Sequence, residues 1–251
     1  MRHLIVNLAS KIQHGVKVFK IEKKLKEFLA QIDESHPFKS YPVANVGDCS
    51  ASPKEFFSHY DAYCYWMVEK LRGLPGRKKI LDVGNEKIAN AVNSVNHDVT
   101  ALVLMDCEDR LSKVNYVIHD ISEALPFEDN VFDVFTSCAS LHLVGLGRYG
   151  DRLNAYALPR FIKELDRVMK PTSDLIFSFT YGPNCLQFNK GWIFNYESIV
   201  EMFSQWKLVD YLIDNHSVPN PIPYKERFSK DLDLSNVEDG QYRVIFLHFK
   251  R

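Results

Sequence analysis

Three acidic residues stand at or near the ends of short apolar runs that the sequence predicts to be neighbouring strands. Asp82 lies within the first run, and Asp106 and Asp120 follow the second and third. In an open α/β sheet, ligands bind beyond the carboxyl ends of the strands. A carboxylate there can accept hydrogen bonds from two ribose hydroxyls, predicted for Asp106, or from an adenine-like exocyclic amine, predicted for Asp120. The alternative is that these acids only cap helices and loops.

The first apolar run ends in Gly84 and Asn85, two residue types that tolerate positive φ. A glycine at this turn lets the backbone approach a ligand closely, and the helix that follows offers free N–H groups. The turn is therefore predicted to border a ligand. Alone it is a weak signal, because a strand ending in glycine occurs in many α/β folds.

A histidine and a glycine-punctuated loop follow the fourth predicted strand. His142 titrates near neutral pH and is the candidate general base, its alternative being a histidine hydrogen-bonded beneath the loop. In the loop, with Gly147 and Tyr149, Arg148 could hold a phosphate or carboxylate through paired N–H bonds, and Asp151 could accept from sugar hydroxyls. The alternative is an internal Arg148–Asp151 pair that only shapes the loop.

Two more polar residues are predicted to contact a substrate. Asn189 follows the fifth predicted strand, and Tyr60 lies on an aromatic-rich helix predicted over residues 53–71. Ser52 before Pro53 predicts the start of that helix. Its aromatic side chains are expected to form a layer against the sheet, and the alternative for Tyr60 is packing with an incidental polar tip.

These residues need a sheet to bring them together, and the order of elements predicts one. Strands are predicted over residues 79–83, 99–105, 114–118, 132–137 and 174–180, with helices at 86–95, 157–169 and 198–203. Strands that are apolar nearly throughout and alternate with helices indicate an α/β protein, a mostly parallel sheet covered on both faces. Two last strands, 207–213 and 242–249, are expected to pair antiparallel at one edge.

Composition excludes several classes of function. The chain has 251 residues, 46% of them hydrophobic and 25% charged, with a net charge of −1. That charge argues against nucleic-acid binding. Five dispersed cysteines without a C-x-x-C pair favour reduced thiols in a cytoplasmic protein, and no metal motif is apparent. We also find no signal peptide and no apolar run near the ~20 residues that span a bilayer.

Residues 1–52 are predicted to form an amphipathic helical arm and a linker, ahead of a domain over residues 53–251. Apolar residues recur at helical spacing up to residue 32, and lysines lie between them. Such a helix can lie on an anionic membrane surface, here the inner face of the membrane. The alternative is a helix packed on the domain or on a second subunit in a homodimer.

The strand-end acids and the later motifs resemble the class I methyltransferases that use S-adenosylmethionine. The resemblance covers residues 56–251 and rests on the runs Ile80–Gly84, Phe132-Asp133-Val134 and Glu164–Pro171, with Leu125-Pro126-Phe127 after Asp120. It implies a Rossmann-like methyltransferase sheet with an antiparallel terminal strand and S-adenosylmethionine as cofactor. It also implies that Asp82, Gly84, Asn85, Asp106, Cys107, Asp120 and Ile121 form the cofactor site.

A narrower resemblance rests on the run Gly145-Leu146-Gly147-Arg148-Tyr149-Gly150-Asp151, with His142 before it and Phe188-Asn189 after the fifth strand. It is similar to a bacterial methyltransferase-like family often met among surface-polysaccharide genes. That resemblance implies O-methylation of a sugar hydroxyl in a sugar nucleotide or surface glycan. The chain departs from the usual pattern at Glu86 and at Thr172-Ser173, where glycines are expected.

The departures keep two other functions open. The first is a non-catalytic member that binds the cofactor poorly and acts as a partner or scaffold in glycan assembly, which the missing glycines and the basic arm favour. The second is a dinucleotide-dependent oxidoreductase, which the absence of G-x-G-x-x-G disfavours.

Overall fold

A computed structural model of the chain describes residues 58–84, 86–106, 108–187, 191–215, 227–237 and 241–251, and the single positions Phe19 and Lys23. Both single positions are helical and exposed. The rest of the predicted arm and linker lies outside the described residues. Its membrane contact and its packing on a second subunit therefore stay predictions.

The described elements alternate between strands and helices. In chain order they are α1 (His59–Arg72), β1 (Lys79–Val83), α2 (Lys87–Asn93), β2 (Asp98–Val103), β3 (Val114–Ile118), β4 (Phe132–Ser137), a 3-10 turn (Leu141–Leu143), α3 (Ala157–Val168), β5 (Met169–Tyr181), β6 (Cys185–Gln187), β7 (Gly191–Ile193), α4 (Tyr196–Met202), β8 (Lys207–Asp214), β9 (Phe228–Ser229) and β10 (Arg243–Lys250).

Eight of these strands form one sheet in the order β3-β2-β1-β4-β5-β10-β8-β9. Strands β1 to β5 pair parallel, whereas β10 pairs antiparallel with both β5 and β8. The predicted, mostly parallel sheet with an antiparallel terminal strand is confirmed. The strand order reverses between β1 and β4, which makes the crevice between their carboxyl ends the expected ligand position.

Two apolar layers cover the sheet, one on each face. On one face, α3 and α4 pack on β5 through Phe161, Leu165 and Ile199 against Phe177 and Phe179. On the other face lie α1 and the start of α2, with side chains such as Tyr63, Met67 and Ala89 buried against Ile176 and Phe246. The Tyr63 hydroxyl donates to the Ile176 carbonyl at 2.7 Å. Of the aromatic layer predicted for the first helix, Tyr63 and Trp66 pack on the sheet, whereas Tyr60 and Tyr65 are exposed.

The predicted start of the first helix is wrong. The helix begins at His59 and not at Pro53, because Ser58 is extended and forms a capping box. The Ser58 hydroxyl accepts from the Asp61 backbone N–H at 3.2 Å, and the Asp61 carboxylate accepts from the Ser58 N–H at 2.8 Å. This reciprocal pair satisfies two backbone donors at once, which explains why the helix begins there.

Arg167 of α3 fixes the loop that leads into β4. Its guanidinium donates to the carbonyls of Leu125 at 3.0 Å and Phe127 at 2.7 Å, and to the carboxylates of Asp129 and Glu164 at 2.9 and 2.6 Å. Glu164 also accepts from the Leu125 backbone N–H. The helical run from Glu164 to Arg167 thus holds the 125–129 loop against the sheet.

We expect Arg167→Lys to destabilise the protein by on the order of 2 kcal/mol, because a lysine cannot make these divergent bonds together. Arg160→Lys, on an exposed turn of the same helix, is the matched control and should change the free energy of unfolding by less than about 0.5 kcal/mol. Urea denaturation measures both. Equal stability of the two variants would contradict the role given to Arg167.

Candidate active site

Asp82 links β1 to two neighbouring elements at the edge of the sheet where the strands end. Its carboxylate is 2% exposed, and it accepts from Asn90 Nδ2 at 2.9 Å and from Thr136 Oγ1 at 2.7 Å. These bonds tie β1 to α2 on one side and to β4 on the other. A direct contact between Asp82 and a cofactor stays a prediction.

Asp106 and Asp120 lie at the ends of neighbouring strands. Val103 of β2 pairs with Ile118 of β3, so both acids follow their strands at the same edge of the sheet. Asp106 is exposed and accepts from Arg110 Nε at 3.1 Å. A diol could compete for such a carboxylate, because an exposed ion pair contributes little stability.

Asp120 is held in its ionised form. Burial favours the neutral carboxyl, but the hydrogen bonds donated by Ser122, together with the backbone hydrogen bond and the charge of Arg152, outweigh burial and lower the pKa of Asp120 below its ordinary value. The Ser122 backbone N–H donates to Oδ1 at 2.9 Å. Ile121 is half-buried and packs on the core. Asn85 and Cys107, predicted for the same site, lie outside the described residues.

The glycine at the end of β1 is required by a protein contact. Gly84 has a φ of +112°, and a Cβ added there would overlap the Ser140 hydroxyl. Ser140 follows β4 and donates to the Cys138 carbonyl at 2.9 Å. Close packing between the ends of β1 and β4 therefore needs Gly84, whether or not a cofactor also approaches this turn.

His142 is buried beneath the elements that follow β4 and β5. The side chain is 8% exposed, and its Nδ1 is buried without a hydrogen-bond partner. Gly191 of β7 lies against the ring, because a Cβ at this position would overlap His142 Cδ2. Burial, followed by the nearby charges of Arg148 and His59, lowers the pKa of His142 to about 4. The ring is therefore neutral at pH 7 and has an acceptor to offer.

This pKa predicts an acid sensitivity of the fold. Above pH 6.5 the histidine is neutral in both folded and unfolded chains, whereas below pH 6.5 only the unfolded chain binds the proton. Stability is therefore lost as the pH falls from 6.5 towards 4. Between pH 7 and pH 5, the stability of His142→Gln should gain about 2 kcal/mol relative to the wild type. Urea unfolding at the two pH values measures it, and parallel pH profiles would contradict the burial argument.

Of the residues predicted for substrate binding, Arg148 lies near enough to His142 for its charge to lower the pKa of the histidine. Burial raises the pKa of Tyr60, as do the neighbouring Cys138 and two other tyrosines, Tyr149 and Tyr242, while Arg148 opposes the shift. The Arg148 guanidinium carbon lies 5.2 Å from the centre of the Tyr149 ring. The structure thus places Arg148 near the buried histidine, and places Tyr149 and Tyr242 near Tyr60.

Asp151 shapes the loop that carries Arg148. Its carboxylate accepts from the backbone N–H groups of Gly147 at 3.1 Å and Tyr149 at 3.2 Å. Gly147 has a φ of +70°, so a glycine suits this turn. A contact between Asp151 and a sugar hydroxyl stays a prediction. Asn189 lies outside the described residues.

Several residues around this site are not predictable from the sequence. The short β6–β7 hairpin was not predicted, although its Gly191 packs on His142. Ala139, two residues after β4, has a φ of +47°, which is uncommon for alanine and shows that the turn before His142 is constrained. Tyr242 was assigned only to a strand. An open pocket of about 550 Å³ between the hairpin and α4 was also missed; Trp192, Phe194 and Glu201 are among the residues that line it.

The chain matches a known protein family. A family model described as "Caenorhabditis protein of unknown function, DUF268" matches residues 79–239. The chain belongs to this family. Among curated proteins, it is 29% identical over 136 residues to a demethylmenaquinone methyltransferase of Bacillus cereus, a match that covers 54% of this chain and 45% of that protein. The chain thus spans less than half the length of the curated relatives it matches.

Two solved structures show the same fold. A Burkholderia thailandensis 1,6-didemethyltoxoflavin-N1-methyltransferase with bound S-adenosylhomocysteine has a TM-score of 0.54 at 14% identity, covering 78% of this chain and 79% of that one. The [4+2]-cyclase SpnF has a TM-score of 0.54 at 16% identity, covering 80% and 85%. The fold is therefore that of S-adenosylmethionine-dependent methyltransferases, and proteins with this fold differ in the reaction they catalyse.

The described residues contain neither a helix that could cross a membrane nor a cluster that could hold a metal ion. None of the helices in the described ranges is long and apolar enough to cross a membrane. No group of three or more His, Cys, Asp or Glu side chains there could hold a metal ion.

Proposed function

We propose that this protein is an S-adenosylmethionine-dependent O-methyltransferase that acts on a sugar hydroxyl of a sugar nucleotide or surface glycan. The observation that carries the proposal is the shared edge of the sheet. Asp106 and Asp120 end neighbouring strands on one side of the switch crevice, and His142 follows β4 on the other side. The methyltransferase fold supports the reaction class, whereas the glycan rests on a family resemblance alone.

The residues at the rim fit an adenosyl group. Asp106 is an exposed carboxylate at the end of β2, suited to the two ribose hydroxyls. Asp120 stays ionised at the end of β3, as an acceptor for the adenine amine. Gly84, Asn85, Cys107 and Ile121 would complete this side of the cleft. The bound cofactor would supply an activated methyl group on a sulfonium.

His142 would accept the proton of the substrate hydroxyl at one of its ring nitrogens. The enzyme must also hold the hydroxyl oxygen in line with the methyl group, and burial of the imidazole by Gly191 favours a fixed geometry. The charge of Arg148 opposes protonation of His142. A phosphate bound at Arg148 would offset that charge and make the histidine a stronger base.

Arg148, which lies near His142, and the tyrosines around Tyr60 support an anionic, ring-shaped acceptor. Arg148 suits a phosphate, while Tyr60, Tyr149 and Tyr242 offer rings and hydroxyl groups to a sugar or a base. A sugar nucleotide has all of these features. We further propose a cytoplasmic location, where such substrates are made, with the basic arm as a contact to the inner face of the membrane.

The test is transfer of a labelled methyl group from S-adenosylmethionine to a panel of sugar nucleotides, with the corresponding free sugars as matched controls. We expect label in at least one sugar nucleotide and at least tenfold less in its free sugar. Arg148→Ala should raise the KM for that acceptor and leave the KM for the cofactor unchanged. Transfer to the free sugar alone would contradict the anionic acceptor.

A second candidate function is a non-catalytic scaffold in glycan assembly. Glu86, at the turn where related proteins have a glycine, favours it. Isothermal titration with S-adenosylhomocysteine separates the two. Micromolar binding that is lost in Asp106→Ala supports the enzyme, and absence of binding supports the scaffold.

A further inference from the structure

The acidic residue after the first strand lies beside the switch crevice of the sheet. Glu86 is the residue directly before α2 and follows the turn at the end of β1. It is half-buried. Because β1 neighbours β4 and the strand order reverses there, a side chain at this turn borders the crevice between the two strands.

The negative charge of Glu86 affects a group in that crevice, the Cys138 thiol. The pKa of the Cys138 thiol, at the end of β4, is raised well above its ordinary value, first by its hydrogen bond with Cys64 and then by burial. The negative charges of Glu86 and Asp82 raise it further. Two carboxylates, one on each side of the β1 turn, therefore make the end of β4 electronegative.

Within the described part of the chain, Glu86 makes no hydrogen bond or ion pair through its carboxylate. It precedes α2 without capping it. The neighbouring cation, Lys87, pairs with Asp109 at 3.3 Å instead. The Glu86 carboxylate can therefore accept hydrogen bonds from a ligand.

A second acceptor lies beside the same crevice. Asn90, one helical turn after Glu86 and therefore on the same side of α2, is fully buried, and its Oδ1 has no partner. The amide of the same side chain donates to Asp82. A buried acceptor without a donor costs free energy, so a ligand that brings a donor group to this acceptor would be stabilised. Glu86 and Asn90 Oδ1 are both acceptors on one side of α2, so they suit a ligand that is cationic and carries N–H bonds.

We propose that Glu86 binds a primary ammonium group, namely that of the amino-acid end of the cofactor. The inference rests on the proposed function. In this chain the Glu86 side chain would make the contact to the amino-acid end that backbone groups make in a glycine-rich turn. Glu86 would then strengthen the binding of the cofactor, the reverse of what its departure from the glycine pattern suggests.

The test compares two ligands that share the adenosine part. Isothermal titration with S-adenosylhomocysteine, which has the ammonium, and with 5′-methylthioadenosine, which lacks it, is run on the wild type, Glu86→Gln and the control Glu128→Gln. Glu128 is exposed in the turn before β4. We expect Glu86→Gln to weaken S-adenosylhomocysteine binding at least tenfold and to leave 5′-methylthioadenosine binding unchanged, which also shows that the variant is folded.

Four outcomes would overturn the inference. Unchanged S-adenosylhomocysteine affinity in Glu86→Gln, or equal weakening for both ligands, removes Glu86 as the ammonium site while the proposed function stands. Tighter binding in Glu86→Gln means that the acid repels the amino-acid end. If the wild type binds neither ligand, the cofactor assignment fails, and the inference fails with it.

Discussion

Replacing His142 with glutamine is expected to lower turnover at least tenfold, and by up to about 10⁴-fold, while the affinity for S-adenosylhomocysteine stays unchanged. General base catalysis contributes a factor of this size. Glutamine keeps the volume and polarity of the site but cannot accept a proton at neutral pH. The cofactor would lie on the β1–β3 side of the crevice, away from the imidazole, so its binding should not respond.

The measurement is the initial rate of labelled methyl transfer at saturating cofactor, with a titration for affinity. His97→Gln is the matched control, because His97 is also a buried histidine but lies before β2, at the opposite edge of the sheet. The control should retain turnover within about twofold. If His142→Gln turns over like the control, His142 is not the base.

Replacing Gly191 with alanine is expected to lower turnover by about 10²-fold without weakening cofactor binding. A Cβ at this position overlaps the His142 ring, and a misplacement of about 1 Å at a reacting group costs a factor of that size. Gly191 also has a φ of +144°, so alanine adds backbone strain of about 1–3 kcal/mol.

A second glycine separates strain from displacement of the histidine. Gly76 has a φ of +72°, and a Cβ there meets nothing within 4 Å. Gly76→Ala should therefore lose about 1–2 kcal/mol of stability and keep its turnover. Both variants are compared by urea unfolding and by kcat and KM for the acceptor. Equal turnover in the two would show that Gly191 does not position His142.

Regular strands were predictable from the sequence because their signal is local. The apolar runs at β3 and β4 end where the structure ends them, at Ile118 and Ser137. Parallel strands covered on both faces leave an unbroken apolar pattern, which makes their bounds clear. The same pattern overextended β2, predicted to residue 105, because Met105 is apolar yet exposed beyond the strand.

The local sequence pattern did not give the start of α1, because two positions both resemble the start of a helix. Ser52-Pro53 and Ser58 both precede helical sequence, and the reciprocal bonds between Ser58 and Asp61 decide the start of α1. Asp61 lies three residues after Ser58, so the capping-box spacing was available in the sequence. The short β6–β7 hairpin offers no comparable periodicity.

The surroundings of His142 depend on contacts that are remote in the chain. Gly191, His59 and Arg148 are far apart in the chain, and only the fold brings them to one histidine. Its position after β4 could be predicted from the order of elements. Its burial and low pKa could not, because they follow from the unpredicted hairpin and from the charge on the neighbouring loop.

The most direct test of the central claim is a crystal structure of the protein with S-adenosylhomocysteine. We expect the adenosyl group to lie across the carboxyl ends of β1, β2 and β3, with the ribose hydroxyls within hydrogen-bond distance of Asp106 and the adenine amine next to Asp120. A ligand bound elsewhere, for example in the pocket between the β6–β7 hairpin and α4, would contradict it.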